Sequence, residues 1–401
     1  MTRMAYSWND TSKPDVRYAI VGNGFDLECG LHTGYDSFLK FVREDGYASL
    51  PVGASLTNSI DWQGFRSHNY WLKRFESVQI GSGWVDFENE IARVIVTVEK
   101  GMANASAIQA FLDDDIKWNS LIRSLSIFGE LYNFFKDDGA PIQSYRDLVK
   151  RLLDDLRYLT RCLEAYLRDY VCTKPPKETA ATKALVRRLC ESDRARVISF
   201  NYTRTFEQML KSKGVDCEFC YVHGAIGDGS KKNTMVLGVD ANVEPDGATT
   251  PVEFGPFMKY NQRIFKQTDN RYMTWLDNVR SSHEGIRQLK ELADRFVLAP
   301  SSSVDMGATL DRIEYLKSEL RKELRKSEVV VFGHSLGLTD RDILKSFITL
   351  PDTRTVVYYH DEKSFSSQVS NLSSILGADE LITRTGGEAR TLEFRDQREL
   401  V

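Results

Sequence analysis

Histidine and cysteine are scarce in this chain, with 6 of each among 401 residues. So few cysteines exclude a disulfide-built scaffold. No run of about 18 apolar residues occurs, which excludes a membrane-spanning helix. Neither charge sign dominates: lysine and arginine number 53 against 57 aspartate and glutamate, a net charge of −4. No general attraction to nucleic acid follows, and only a local basic groove would supply one. The opening stretch Met1 to Asp10 lacks the apolar core of an export signal. Reduced thiols and a cytoplasmic location are therefore expected. Internal repeats and low-complexity tracts are also missing.

What is present is apolar mass. Hydrophobic residues make up 42% of the chain, enough to bury a large core and to exclude wholesale disorder. Short β-branched runs stand at Val16–Val21, Val197–Phe200, Phe219–Val222, Thr234–Leu237, Val329–Phe332 and Thr355–Tyr359. Several lack alternation, as strands buried on both faces of a parallel sheet do. A helix is predicted over Tyr35–Arg43, and residues 45–70, rich in Gly, Ser and Asn, read as loop. From Val85 to Leu189 the pattern is mostly helical, with Leu152, Leu153, Leu156, Leu159 and Leu163 on one stripe. A charged helix is expected between Thr309 and Lys326. Strands alternating with helices predict an α/β, Rossmann-like fold with a mostly parallel sheet. We assign that fold to residues 1–50 plus 195–401, with a helical insertion domain at 51–194.

Polar motifs follow the strands: Gly22-Asn23-Gly24, Asn201-Tyr202-Thr203, His223-Gly224, Gly238-Val239-Asp240, Gly333-His334-Ser335 and His360-Asp361. Ligands of parallel α/β sheets bind beyond the carboxyl ends of the strands. One edge would then gather the glycine turns, Asn201, His223 and His334. The Gly22–Gly24 turn resembles a phosphate loop, because glycines let the backbone approach a pyrophosphate. It lacks the complete dinucleotide fingerprint and a Walker lysine.

Three other chemistries compete. Gly333-His334-Ser335-Leu336-Gly337 matches a nucleophile elbow. Only His360 follows Ser335, the acids between them (Asp340, Asp342 and Asp352) lie on no later strand, and Asp340 reads equally as a helix cap. Trp84-Val85-Asp86-Phe87-Glu88 spaces carboxylates two apart. On a helix they fan apart, so an acidic N-terminus is the plain reading, and a nuclease metal site would need Asp26 as well. Cys217 and Cys220 lie on a strand, where residues three apart face opposite ways. No metal is expected.

Together, Val21-Gly22-Asn23-Gly24-Phe25-Asp26, Trp84-Val85-Asp86-Phe87-Glu88, Ser199-Phe200-Asn201-Tyr202-Thr203, Tyr221-Val222-His223-Gly224 and Val331-Phe332-Gly333-His334-Ser335-Leu336-Gly337 resemble the AbiH family of bacterial phage abortive-infection proteins. The resemblance implies phage defence, with a phage-derived trigger. A second, weaker similarity is to sirtuin-like NAD-cleaving defence domains, through the first glycine turn, Asn201-Tyr202 and His223-Gly224. This chain departs from them with Asn23, Phe25-Asp26 and Thr203. That similarity implies a site for NAD or a related nucleotide, with cleavage of the nicotinamide–ribose bond. Asn201 would orient water or a ribose hydroxyl and His223 would act as base. Gly22, Asn23 and Gly24 would hold phosphate, with Asp26, Gly224, Gly333, His334 and Ser335 as further contacts. A non-catalytic nucleotide sensor is the rival reading. No membrane partner is expected, and a homo-oligomer stays open.

Overall fold

The structure is a computed structural model that describes residues 14, 16–50, 56–78, 84–109, 126–137, 145–192, 194–227, 232–239, 252–298, 306–323, 327–387 and 390–400. In chain order the elements are β1 (Val16–Val21), α1 (Asn23–Glu28), α2 (Tyr35–Arg43), α3 (Trp62–His68), α4 (Tyr70–Ser77), α5 (Trp84–Gln109), α6 (Ser126–Asp137), α7 (Tyr145–Ala165), α8 (Ala180–Cys190), β2 (Arg194–Ser199), α9 (Thr205–Ser212), β3 (Glu218–Tyr221), α10 (Lys259–Lys266), α11 (Arg271–Leu298), α12 (Met306–Glu323), β4 (Ser327–Phe332), α13 (Arg341–Ile348), β5 (Thr353–Tyr359), α14 (Glu362–Leu376), α15 (Ala378–Thr385) and β6 (Leu392–Asp396).

Two compact units share the chain. The first comprises residues 1–29, 177–222 and 269–401. It holds one sheet of six strands, all parallel, in the order β3-β2-β1-β4-β5-β6. That is the order of a doubly wound Rossmann-like sheet, so the α/β expectation stands. The apolar strand runs explain it. On one face Tyr18, Ile20, Val329, Val331 and Val357 form a core with Trp275 of α11, Phe347 of α13 and Leu372 of α14. On the other, Phe25 of α1 packs on Phe206 of α9 and on Phe332. Burial on both faces is what unalternated runs predict.

The second unit comprises residues 30–176 and 223–268. It contains α2 to α7 and α10. Leu152, Leu156, Leu159 and Leu163 of the α7 stripe are buried while Leu153 is half-buried, and Trp71 of α4 donates to the Leu152 carbonyl at 2.7 Å. The division differs from the expected one at both ends. Residues 30–50 and 223–268 belong with the helices, while α8 stays with the sheet.

Three local expectations differ as well. The stretch 45–70 is partly helical, because its polar residues are caps. Asp61 accepts from the Gly64 N–H and Asn69 from the Leu72 N–H, satisfying helix-start donors. Thr234–Leu237 is irregular chain. Its Thr234 and Val236 amides reach the Ala225 and His223 carbonyls, too little for a ladder. β6 carries Glu393, Arg395 and Asp396, the charged dress of an edge strand, and so escapes a search for apolar runs. All six cysteines are free thiols; Cys29, Cys162 and Cys220 are buried. No described helix is long and apolar enough to cross a membrane.

Candidate functional site

Register sets the site. Val21 of β1 lies level with Ser199 of β2 and Phe332 of β4, so the segments after them leave the sheet side by side. β1 and β4 flank the point where the strand order reverses, the usual ligand crevice of such sheets.

The two glycine motifs meet there. The Gly22 N–H donates to the Phe332 carbonyl at 3.1 Å, and the Gly24 N–H to the Gly333 carbonyl at 2.8 Å. The Phe25 N–H turns back to the Gly22 carbonyl at 2.9 Å. A Cβ on Gly24 would stand 2.7 Å from the Gly333 Cα. Gly333 has φ +65°, and a Cβ there would lie 2.3 Å from the Phe25 nitrogen. Loop-to-loop contact therefore requires both glycines, and these amides already have partners in the chain.

Asp26 follows on α1 and is 1% exposed. Its Oδ2 accepts from Thr203 Oγ1 at 2.5 Å, and Thr205 Oγ1 contacts Thr203 Oγ1 at 3.2 Å. Burial pushes the carboxyl up to about 6, against the downward pull of the polar side chains of Thr203, Thr205 and Asn201, of which only Thr203 stands in good hydrogen-bond geometry to the carboxylate. Its other oxygen, Oδ1, is buried without a hydrogen-bond partner, and so is Asn201 Oδ1. Two orphaned acceptors thus lie in the segments that leave adjacent strands. An unmet buried acceptor costs roughly 1–3 kcal/mol.

The β4 loop is held rigidly. The Leu336 N–H donates to His334 Nδ1 at 2.9 Å. In the neutral ring the proton then sits on Nε2, which lies 3.5 Å from Asp340 Oδ2. The ring packs edge-on to Phe200 with centroids 4.3 Å apart. Leu336 is left-handed at φ +58°, a conformation that persists where surroundings over-determine it. Gln368 Nε2 donates to the His334 carbonyl at 3.0 Å and Asn371 Nδ2 to the Ser335 carbonyl at 2.9 Å. With both imidazole nitrogens engaged, His334 anchors this loop.

Ser335 itself is exposed, and the left-handed residues are its neighbours Gly333 and Leu336. The strained turn of a nucleophile elbow belongs at the nucleophile. His360 Nδ1 lies 2.6 Å from Gln397 Nε2, and among the described residues no hydrogen bond joins Ser335 to a histidine. Sequence reasoning missed Thr205 and the real partner of Asp340. Asp340 flanks a helix start, yet makes no side-chain cap; its sequence position alone reads as a cap.

His223 and Gly224 belong to the second unit. His223 is buried. Gly224 has φ +70°, and a Cβ there would lie 1.8 Å from the Thr234 carbonyl oxygen. In the same unit Glu88 forms a buried ion pair with Lys259 at 2.7 Å. The side chain of Asp86 and the whole of Asp240 lie outside the described residues. Among the described residues no three metal-type side chains converge.

Sheet order and switch point define a doubly wound α/β protein, with buried acceptors of Asp26 and Asn201 beyond the carboxyl ends of β1 and β2. The chain belongs to the AbiH family: the family model described as "Bacteriophage abortive infection AbiH" matches residues 18–360. No curated protein matches the chain.

Proposed function

We propose that this abortive-infection protein acts through a nucleotide site at the carboxyl edge of β1, β2 and β4, where it takes NAD or a related nucleotide by its ribose and hydrolyses the nicotinamide–ribose bond. One observation carries the reading: the buried, partnerless Oδ1 atoms of Asp26 and Asn201 beyond the carboxyl ends of the adjacent strands β1 and β2. Two acceptors without donors suit a ligand that brings donors, and ribose hydroxyls do. The turn amides fit a pyrophosphate poorly, since those of Gly22, Gly24 and Phe25 already donate within the chain. The proposal therefore rests on the ribose and gives the glycine turn a scaffolding role.

In the reaction, water oxygen would bond to the anomeric carbon as the carbon–nitrogen bond breaks. The electron pair leaves on the nicotinamide nitrogen, and the water proton passes to solvent. The developing charge on the ribose is positive. In the ground state that charge sits on the nicotinamide ring, and an ionised Asp26, desolvated and held by Thr203, favours its movement onto the ribose. Asn201 orients a hydroxyl. A carboxyl near 6 is ionised at neutral pH, which suits this task.

The test is to incubate the purified chain with NAD and follow free nicotinamide. The expected result is release by the natural chain and a loss on the order of a hundredfold in Asp26→Asn, the scale of one electrostatic catalytic group. A folded natural chain that releases nothing ends the hydrolase reading. Saturable binding without release would instead make the protein a nucleotide sensor.

A further inference from the structure

The face of the sheet opposite the large core carries an unusual row. Arg17, Glu328 and Arg354 lie level across β1, β4 and β5, so parallel register points all three side chains the same way. Arg188 of α8 reaches down onto this row. Glu328 accepts from Arg17 Nε at 2.5 Å and from Arg188 Nη2 at 2.5 Å. Further along, Glu393 of β6 is shared between Arg354 and Arg395. Glu328 and Glu393 thus each pair with two guanidinium groups, and the charge of Glu191 also acts on Arg17. The Nη1 of Arg17 is buried without a hydrogen-bond partner, a local sign that cation exceeds acceptor. Each over-subscribed pair sends one arginine, Arg188 and Arg395, into the wall of the same cavity of about 260 Å³. Arg187, Tyr358, Glu191 and Glu399 also line it. Arg188 Nη1 is fixed there by the Tyr358 hydroxyl at 2.8 Å.

We propose that this cavity is a second ligand site, for a small phosphate monoester. The phosphate would face Arg187, Arg188 and Arg395, because planar guanidinium forks match phosphate oxygens bidentately. Glu191 and Glu399 would take hydroxyl or amino donors on the rest of the ligand. Those two carboxylates oppose a bare polyphosphate, which selects one phosphate on a donor-bearing body. The volume fits a small molecule. The site lies between α8 and strands β5 and β6 and shares no lining residue with the nucleotide rim. A nucleoside monophosphate and a sugar phosphate share this chemistry.

Calorimetry on the full chain at fixed ionic strength tests it, with inorganic phosphate, adenosine monophosphate, adenosine and glucose 6-phosphate as probes. Saturable binding of inorganic phosphate is expected, tighter for a monoester, and any adenosine held by its ribose at the rim should bind Arg395→Gln as it binds the natural chain. The two monoesters tell the nucleotide source from the sugar source. Arg395→Gln should weaken phosphate about tenfold or more, the loss of a charge-assisted contact. The exposed Arg187→Gln serves as the second variant if the first does not fold, and Asn201→Ala should bind phosphate as the natural chain does. No saturable binding of any phosphate, equal binding by folded Arg395→Gln and Arg187→Gln, or loss in Asn201→Ala would overturn the proposal.

Discussion

Two polar regions of the sheet unit make opposite use of a buried carboxyl group. Beyond the ends of β1 and β2, Asp26 is buried among hydroxyl and amide side chains, with no cation beside it among the described residues. On the arginine face, cations outnumber carboxylates, and Glu328 sits between Arg17 and Arg188. Burial pushes both carboxyls up. For Asp26 burial wins, and the group titrates at about 6. For Glu328 the hydrogen bond and charge of Arg188, then the charge of Arg17, outweigh burial and hold it below its ordinary value. Neighbouring charge decides which acid stays locked and which is poised.

Replacing each acid by its amide should therefore act with opposite sign. Glu328→Gln leaves two buried guanidinium groups short of a counter-charge and should destabilise the chain by about 3–5 kcal/mol in denaturant unfolding. A change within about 1 kcal/mol, the worth of an exposed pair, would mean the row is solvated and the comparison fails.

Asp26→Asn should do the reverse at neutral pH. The folded carboxyl titrates at about 6 against an ordinary 3.8. Between those values the folded chain holds a proton that the unfolded chain has lost. The stability from this group is full below 3.8 and falls as pH rises through about 6. A gap of about two pH units corresponds to about 3 kcal/mol. Asp26→Asn should gain up to that amount at pH 8, with the gain vanishing near pH 4. A variant less stable than the natural chain at pH 8 would show that Asp26 is not strained by its burial.

Thr203→Val sharpens the same point more gently. It removes the donor to Asp26 Oδ2 while keeping the shape. A loss of about 1–3 kcal/mol is expected at pH 8, and a smaller one at pH 5, where Asp26 is largely protonated. Equal losses at both pH values would assign Thr203 a packing role only.

Much of the fold was legible. The runs Val16–Val21, Val329–Phe332 and Thr355–Tyr359 are continuous and apolar, and burial on both faces leaves few other choices. Asp61 and Asn69 misled because the same residue types make loops and cap helices. β6 stayed hidden because an edge strand carries charge. At the site, the edge shared by Gly24, Asn201 and Gly333 was legible from the small and polar motifs at the strand ends. The orphaned oxygens were not, since hydrogen-bond partners come from residues far apart in sequence: Thr203 lies 177 positions from Asp26. The similarity to sirtuin-like domains joined Asn201-Tyr202 with His223-Gly224, which the folded chain assigns to different units.

The sequence by itself determined the strand runs, the motifs at their ends and membership of the family, because local burial and backbone conformation are written in short patterns. Only the tertiary structure decided that two glycine loops need each other, that Asp26 is buried against Thr203, and that Glu328 sits between Arg17 and Arg188. Such balances depend on which distant side chains a parallel register sets level, and sequence spacing alone does not encode that.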